Sequence, residues 1–320
     1  MVETVAQGWM WGAFVVFVIA MLVLDMFALG GNKPRKVSVK EAAAWSLGWF
    51  TLAMVFNALL WWYLDGSMGR EIANTKAMEF FTGYLIEKSL SVDNLFVFLM
   101  LFGFFAVPAE YQRRVLLYGV LGAIVLRAVM ILAGVWLVSQ FSWILYVFGA
   151  FLVVTGIKMV LFAEHKPDIA KNPVLKWMRT HLRMTNEYHG EYFTVMKDGL
   201  RYFTPLFAVL VMVEISDVIF AVDSIPAIFA VTTDPFIVFT SNIFAILGLR
   251  ALYFLLADIA DRFHLLKYGV AVVLVFVGIK LLIADFFHVP VLLSLSLVAV
   301  ILAVSIAASL IATRTKEEKA

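Results

Sequence analysis

Apolar segments long enough to cross a membrane recur along nearly the whole chain, and short polar stretches separate them. A transmembrane helix needs about 17–25 predominantly apolar residues. Nine segments meet this requirement, at residues 9–29, 43–64, 80–107, 115–138, 141–162, 205–231, 236–257, 265–287 and 289–311. The pattern therefore predicts an all-α fold, a polytopic transmembrane helical bundle with about nine spans.

The composition agrees with a membrane protein and excludes several kinds of site. Hydrophobic residues make up 63 % of the 320 residues and charged residues 15 %, against about 45–50 % and about 25 % in soluble domains. The chain has no Cys, which excludes disulfides, zinc–thiolate and iron–sulfur sites, and a cysteine nucleophile. The net charge of +2 gives no indication of nucleic-acid binding, and we expect neither haem nor a nucleotide cofactor.

The basic residues predict the orientation of the spans, because cytoplasmic loops of membrane proteins are enriched in Lys and Arg. With the N-terminus outside, eighteen of the 25 Lys and Arg residues fall on the cytoplasmic side, and only Arg70 and Lys76 fall outside. Basic residues follow the first span rather than precede it, which is the reverse of a secretory signal peptide. We therefore predict a retained first span, an N-terminus outside and a C-terminus inside.

The long loop at residues 163–204 shows two local patterns. Apolar residues recur at helical spacing within residues 172–185, which is typical of an amphipathic helix on the inner membrane surface. Further along, Asp198-Gly199 lies between β-forming stretches and favours a hairpin. An ordinary surface loop accounts for this segment equally well.

Spans 3–5 and spans 6–8 carry matching residues in the same order. Asp93 aligns with Asp217, Leu126-Arg127-Ala128 with Leu249-Arg250-Ala251, and Gly156-Ile157-Lys158 with Gly278-Ile279-Lys280. Because the copies begin three spans apart, they cross the membrane in opposite directions, as do the inverted repeats of many secondary transporters. The chain then divides into two peripheral N-terminal helices (1–79), a first repeat (80–162), the cytoplasmic loop (163–204), a second repeat (205–287), and a C-terminal helix with a basic tail (288–320).

Spans 3 and 6 together carry five acidic residues: Glu87 and Asp93 in span 3, and Glu214, Asp217 and Asp223 in span 6. Each costs about 2.5–3.5 kcal/mol at the membrane centre on the insertion scale, so a cation, protons or buried basic side chains must compensate. At about 1.5 Å per residue, Asp93 and Asp217 fall near mid-membrane. Glu87 and Asp223 lie toward the outside, and Glu214 lies toward the cytoplasm.

Neutral oxygen groups accompany these acids. We interpret Ser91, Asn94 and Ser224 as auxiliary ligands. Since Pro226 lacks a backbone N–H, we expect span 6 to kink or unwind near Asp223 and to turn its carboxylate inward. Oxygen ligands suit Mg²⁺, Ca²⁺ or Mn²⁺. Clustered carboxylates also bind protons, so protons and a metal would compete for one site.

Structural ion pairing is the main alternative for the same acids. Lys88, Arg127 and Arg250 also lie within spans. As charge-balancing residues they would hold the helices together without any bound cation. The residues alone therefore reach either a site for a hard divalent cation or a structural charge network.

The acidic motifs resemble those of the TerC family of integral membrane proteins. The matching stretches are EKSLSVDN from Glu87, EISD from Glu214 and FAVDSIPA from Phe220. The similarity extends over nearly the whole chain and is closest to the Alx-type branch of bacterial inner membranes. It implies manganese export from the cytoplasm, or manganese supply to exported enzymes, with links to tellurite and alkaline stress. Mn²⁺ as the transported substrate, and the cytoplasmic (inner) membrane as the location, come from this resemblance.

Together, the residues and the resemblance predict a secondary transporter that exports Mn²⁺ in exchange for protons. Asp93 and Asp217 would be central ligands, while Glu87, Glu214 and Asp223 would be ligands or proton carriers. One alternative is a non-transporting scaffold that docks metal-handling or secreted enzymes through residues 163–204, and another is export of Ca²⁺. We do not expect an enzyme, since the motifs of zinc proteases and serine hydrolases are missing from the sequence.

Overall fold

The computed structural model describes residues 4–28, 38–141, 143–161, 169–257, 265–287 and 289–317, without the side chains at 26–28, 93, 170 and 313–317. This part of the chain forms α-helices and one β-hairpin. The helices are α1 (Gly8–Ala28), α2 (Val39–Met68), α3 (Arg70–Phe104), α4 (Ala109–Gln140), α5 (Ile144–Leu161), α6 (Pro173–His181), α7 (Pro205–Phe229), α8 (Pro235–Leu247), α9 (Leu249–Ala257), α10 (Leu266–Leu282) and α11 (Val291–Glu317). The strands are β1 (Thr194–Lys197) and β2 (Leu200–Phe203).

The described helices confirm a nearly all-helical membrane protein. Six of them are long and apolar enough to cross a membrane, and the pair α8 and α9, bent by 40°, adds a seventh. Predicted spans 3 and 8 correspond to α3 and α10, which are not among these six helices. α3 carries charged residues, and α10 has only 17 residues. The total of nine spans stays a prediction.

The outer surface of the bundle is apolar, whereas its centre holds polar side chains. Val16 on α1 is 68 % exposed and Val304 on α11 is 62 % exposed, as expected for helices that face lipid tails. By contrast, α7 and α8 bury most of their residues. α3 packs against α7 and α8, and α4 packs against the same two helices. Of the predicted site residues, Glu87, Arg127, Asp217 and Ser224 meet among these four helices.

A side-chain cap sets the start of α8. Asp234 accepts a hydrogen bond from the backbone N–H of Phe236 at 3.0 Å, and Pro235 occupies the first helical position. The first N–H groups of a helix lack partners within the helix, and an Asp at this position satisfies one of them. Asn242 follows about two turns later, which places its amide deep in the bundle.

The predicted short helix of the long loop is present as α6. It buries Leu175 and Met178 and leaves Trp177 exposed. Nearby, the Tyr188 hydroxyl donates a hydrogen bond to the Phe105 carbonyl at 2.8 Å. Burial raises the pKa of the Tyr188 phenol, so this donor stays protonated around neutral pH. The loop is therefore attached to the end of α3, and whether it docks other proteins stays a prediction.

The predicted hairpin is also present. β1 and β2 pair antiparallel, with Lys197 opposite Leu200. The two residues between them, Asp198 and Gly199, have φ of 53° and 72°. These left-handed conformations are the ones that a two-residue type I′ turn requires.

α5 and α10 cross in direct backbone contact. A Cβ atom placed on Gly149 would lie 2.9 Å from the carbonyl oxygen of Gly278, and one on Gly156 would lie 2.7 Å from the carbonyl oxygen of Ala271. Small residues allow transmembrane helices to approach this closely. The two helices run antiparallel, since the residue number rises along α5 as it falls along α10.

Gly278→Ala is expected to destabilise the protein by about 1–3 kcal/mol, the usual cost of an overpacked core. The new methyl group would lie 2.7 Å from the Gly149 carbonyl oxygen and 2.9 Å from the Val153 backbone nitrogen, so the helices would have to separate. Unfolding of the purified protein in mixed detergent micelles measures the change. As a control, Gly48→Ala on α2 has nothing within 4 Å of the added Cβ and should cause no loss. Equal stability of the two variants would contradict the close crossing.

Candidate cation site

Arg127 of α4 lies at the centre of a buried polar cluster, and it is 1 % exposed. Its Nη2 and Nε donate to the two carboxylate oxygens of Asp217 on α7, at 2.9 and 3.2 Å. Its Nη1 donates to Oε1 of Glu87 on α3. Charge-assisted, bidentate pairs of this kind are among the strongest hydrogen-bonded interactions in proteins. One guanidinium thus joins the two helices that carry the acidic motifs.

Two neutral side chains complete this cluster. Asn242 of α8 donates from Nδ2 to Oε2 of Glu87 at 3.1 Å, and its Oδ1 accepts from Nη1 of Arg127 at 3.3 Å. The Ser224 hydroxyl of α7 accepts from the same Nη1 at 3.4 Å. We call Glu87, Arg127, Asp217, Ser224 and Asn242 the arginine network. All five side chains are buried.

The arginine network contains one negative charge more than it contains positive charge, because two carboxylates face one guanidinium. Burying an ion costs several kcal/mol unless a counter-charge and hydrogen bonds offset the loss of water. Among the described side chains, Arg127 is the cation that pairs with these two acids. A proton or a metal cation would supply the missing positive charge.

A cavity of about 270 Å³ lies on a different face of α7, and we call it the Asp223 cavity. The Thr155 hydroxyl on α5 donates to Oδ1 of Asp223 at 3.2 Å. The lining residues come from α3, α5, α7 and α10 and are Leu90, Asn94, Thr155, Lys158, Met159, Phe220, Asp223 and Leu274.

α7 remains helical from Pro205 to Phe229, with Pro226 inside it, so the unwinding expected near Asp223 is not found. Pro226 lies close to the end of α7, where the loss of one N–H disturbs little of the remaining helix. On a regular helix, Asp223 points about 120° away from Asp217. Accordingly, Asp223 lines its own cavity and does not join the arginine network.

Glu214 lies one turn before Asp217 on α7 and packs against α4. A Cβ atom on Gly122 of α4 would collide with the Glu214 carboxylate, so this glycine makes room for it. The Oε2 atom of Glu214 is buried and has no hydrogen-bond partner in the described part of the chain. The same is true of the Ser91 hydroxyl on α3. Glu214 is thus adjacent to the arginine network but outside it.

The other two charge-balancing candidates lie elsewhere. Lys88 donates to the carbonyl of Ala245 at 3.2 Å, close to Gly248, where α8 meets α9. Arg250 of α9 forms a buried ion pair with Asp25 of α1, with 3.0 Å between Nη2 and Oδ2. Within the described side chains, Arg127 is therefore the basic residue that pairs with the predicted acids.

The side chain of Asp93 lies outside the described residues, so its role as a central ligand stays a prediction. Asn94, the next residue on α3, lines the Asp223 cavity. The structure therefore brings Glu87 together with Asp217, and Asn94 together with Asp223, at two separate places. No group of three or more His, Cys, Asp or Glu residues that could hold a metal occurs among the side chains that the structure describes.

Three residues at these two places were not predicted from the sequence. Asn242 belongs to predicted span 7, and Thr155 and Met159 belong to span 5. The predicted acids, by contrast, lie in spans 3 and 6. A polar residue within an apolar span was the available signal for Asn242 and Thr155. For Met159 the sequence offered no signal that separates it from a packing methionine.

The fold and the arginine network define a multi-pass integral membrane protein with a buried charge network between its helices. Comparison with known sequences identifies it further. The chain belongs to the integral membrane protein TerC family, which matches residues 72–317. The resemblance drawn from the acidic motifs is therefore confirmed.

The chain is similar to several curated relatives over nearly their whole length. The chain is 59 % identical to the "Putative membrane-bound redox modulator Alx" of Salmonella typhi over 304 residues, which is 95 % of this chain and 94 % of the relative. It is 60 % identical to the protein of the same name in Escherichia coli K12 over 296 residues, 92 % of each chain. It is 48 % identical to the membrane protein STKORF319 of Myxococcus xanthus over 311 residues, 97 % of this chain and 95 % of the relative. No solved structure matches the chain.

Proposed function

We propose that this chain is a secondary transporter that exports a divalent cation, with Mn²⁺ as its main substrate, from the cytoplasm in exchange for protons. The observation that carries the proposal is the arginine network. Glu87 and Asp217, from the two helices with acidic motifs, meet in the centre of the bundle with one positive charge too few. Intramembrane acids that face the bundle interior are typical of ion and proton pathways.

Charge balance provides a mechanism for exchange. Glu87, Asp217, Arg127 and one proton sum to zero charge. The same two carboxylates and a divalent cation also sum to zero, which requires the Arg127 guanidinium to leave the network with its positive charge. Because Arg127 occupies both carboxylates in this conformation, a cation reaches them only when the guanidinium releases at least one. Protons and metal would therefore bind alternately, since both would occupy the same carboxylate oxygens.

Glu214 and Asp223 extend this site in the two directions of transport. Glu214 lies beside the network on the side that the basic residues predict to be cytoplasmic, and its buried Oε2 has no partner among the described residues. Asp223 lies toward the predicted outside and lines a cavity. We assign Glu214 to loading of the cation and Asp223 to its release, with Asn94 and Ser224 as auxiliary ligands.

The crossing of α5 and α10 supports the proposed inverted repeat. The alignment of Gly156 with Gly278 also aligns Gly149 with Ala271. The contact of Gly149 with Gly278 then has as its counterpart the contact of Gly156 with Ala271, and both are observed. A two-fold axis between two copies produces contacts in such reciprocal pairs, as does any antiparallel crossing of two helices, so these contacts agree with the repeat without requiring it. The proposal therefore includes nine spans, a 3+3 repeat, and an N-terminus outside the inner membrane.

The identity of the cation rests on the family resemblance and on ligand chemistry. Carboxylate, amide and hydroxyl oxygens suit Mn²⁺, Mg²⁺ and Ca²⁺, and the resemblance to TerC proteins singles out Mn²⁺. The name of the relatives refers to redox modulation. Because this sequence contains no Cys, thiol–disulfide exchange within the chain is excluded as the basis of such an effect.

Transport by the purified protein in proteoliposomes tests the proposal. With Mn²⁺ outside the vesicles and an acidic interior, we expect Mn²⁺ uptake that is coupled to proton efflux and that falls when the pH gradient is removed. A fluorescent Mn²⁺ indicator and a pH indicator inside the vesicles measure both ions. Protein-free vesicles provide the control. Uptake no faster than in those vesicles, at any pH gradient, would contradict the transport function.

A further inference from the structure

One face of α5 contributes three different functional groups to the Asp223 cavity. Thr155 and Met159 are four residues apart, so they lie one above the other on the same side of the helix. Lys158 lines the same space. None of the three belongs to the acidic motifs of α3 and α7. The Thr155 hydroxyl is held in place by its hydrogen bond to Asp223 at 3.2 Å.

The groups that face this cavity form a mixed set of possible cation ligands. Asp223 provides a carboxylate, Asn94 an amide and Thr155 a hydroxyl, while Met159 adds a thioether. Mg²⁺ and Ca²⁺ are bound in proteins by oxygen. A polarisable sulfur contributes more to the binding of transition-metal cations, which accept softer ligands. A site that includes this sulfur should therefore have a different ratio of affinities for Mn²⁺ and Ca²⁺ from a site made of oxygen ligands alone.

We infer that the Asp223 cavity is a binding site for a divalent transition-metal cation, and that the Met159 thioether disfavours Mg²⁺ and Ca²⁺ there. The inference rests on the proposed transport function and adds a selectivity residue to it. At about 270 Å³, the cavity has room for a cation that keeps part of its water shell. Ligands then come from two sides of the cavity. α7 and α3 supply the Asp223 carboxylate and the Asn94 amide, and α5 supplies the Thr155 hydroxyl and the Met159 sulfur.

Lys158 supplies a positive charge near the Asp223 carboxylate when no metal is bound. Its side chain lines the cavity with Asp223 and carries the ammonium on a flexible four-carbon stem. Since Lys158 is exposed, its charged end can move to the surface when a cation binds to the carboxylate.

Substitution of Met159 tests the inference through selectivity. Met159→Leu removes the sulfur with little change of volume. In proteoliposomes we expect the ratio of apparent affinities for Mn²⁺ over Ca²⁺ to fall by about tenfold, the lower end of what altered metal sites show. Met159→Gln places an oxygen near the position of the sulfur and should keep Ca²⁺ binding while losing the preference for Mn²⁺. Equilibrium binding of each metal alone to the detergent-solubilised protein gives the same ratio independently of transport.

Two further variants separate selectivity from a general effect. Thr155→Val removes an oxygen ligand and should weaken Mn²⁺ and Ca²⁺ binding alike, leaving their ratio unchanged. Met212→Leu changes a buried methionine of α7 and should leave both affinities at the wild-type values. A wild-type protein that transports Mn²⁺, combined with an unchanged ratio in both Met159 variants, overturns the inference and leaves the transport function intact. A wild-type protein that transports neither metal overturns both.

Discussion

Arg127→Ala is expected to lower the free energy of unfolding by about 3–5 kcal/mol, the usual cost of removing one partner from a buried charge pair. The substitution leaves the Glu87 and Asp217 carboxylates buried and facing each other without a counter-charge. It also removes the Arg127 N–H group that donates a hydrogen bond to Oδ1 of Asn242. Unfolding of the purified variant in mixed detergent micelles, together with its yield from membranes, measures the loss.

The matched control for this prediction is a bidentate pair that is not buried. Arg70 donates to both carboxylate oxygens of Asp65, at 2.6 and 2.9 Å, but its side chain is 67 % exposed. Arg70→Ala should therefore change stability little, since exposed ion pairs contribute little. Neutralising Glu87 as Glu87→Gln in the Arg127→Ala background should restore part of the lost stability. If Arg127→Ala behaved like Arg70→Ala, the arginine network would not be a central part of the fold.

Asp217→Asn is expected to reduce Mn²⁺ transport by at least about tenfold, because even changes around metal ligands cost about 10–100-fold in affinity or activity. The amide keeps an oxygen that can accept from Arg127, so the protein should still fold. What it loses is the negative charge that attracts a cation or a proton. Cells that carry the variant should accumulate more manganese under a manganese load than wild-type cells. We expect the same of Asp93→Asn, which changes the aligned residue of the other repeat.

Asp65→Asn is the control for these two substitutions. Asp65 is also an aspartate paired with an arginine, but it lies in the last turn of α2, away from the arginine network. Its conversion to Asn should leave manganese accumulation at the wild-type level. If cells with Asp217→Asn and Asp93→Asn accumulated no more manganese than wild type, the assignment of these aspartates as ligands would be wrong.

Much of the fold was predictable because the membrane imposes simple rules on the sequence. Helices must satisfy their own backbone hydrogen bonds in lipid, so long apolar segments such as residues 115–138 predict helices directly. The long loop was predictable for local reasons. Asp198-Gly199 adopts the two left-handed conformations of its turn, and Pro173 follows the capping residue Asn172 at the start of α6.

The candidate site was predictable in its residues but not in its arrangement. The sequence identified Glu87, Asp217 and Asp223, because acids in apolar spans are costly and rare. It could not decide which basic residue faces which acid, since Arg127 and Arg250 have similar surroundings in the sequence. The packing of the helices decides the ion pairs, which join Arg127 to Glu87 and Asp217, and Arg250 to Asp25.

The orientation of the Asp223 side chain is a second feature that the sequence did not predict. A proline inside a span suggested a break, yet α7 stays helical through Pro226, because whether a helix breaks depends on how much helix follows and on its neighbours. The role of Met159 is a further example, since a cavity between α3, α5, α7 and α10 is a property of packing that a linear pattern does not contain.

Anomalous scattering from Mn²⁺ in crystals of the protein shows whether these carboxylates bind the metal, because it locates the metal independently of any assumed ligand. We expect a manganese peak within the bundle, within bonding distance of a carboxylate oxygen of Asp217 or Asp223. With the metal at Asp217, Arg127 should no longer contact that carboxylate. A protein saturated with Mn²⁺ that shows no peak among these helices, with Arg127 still bound to both Glu87 and Asp217, would contradict it.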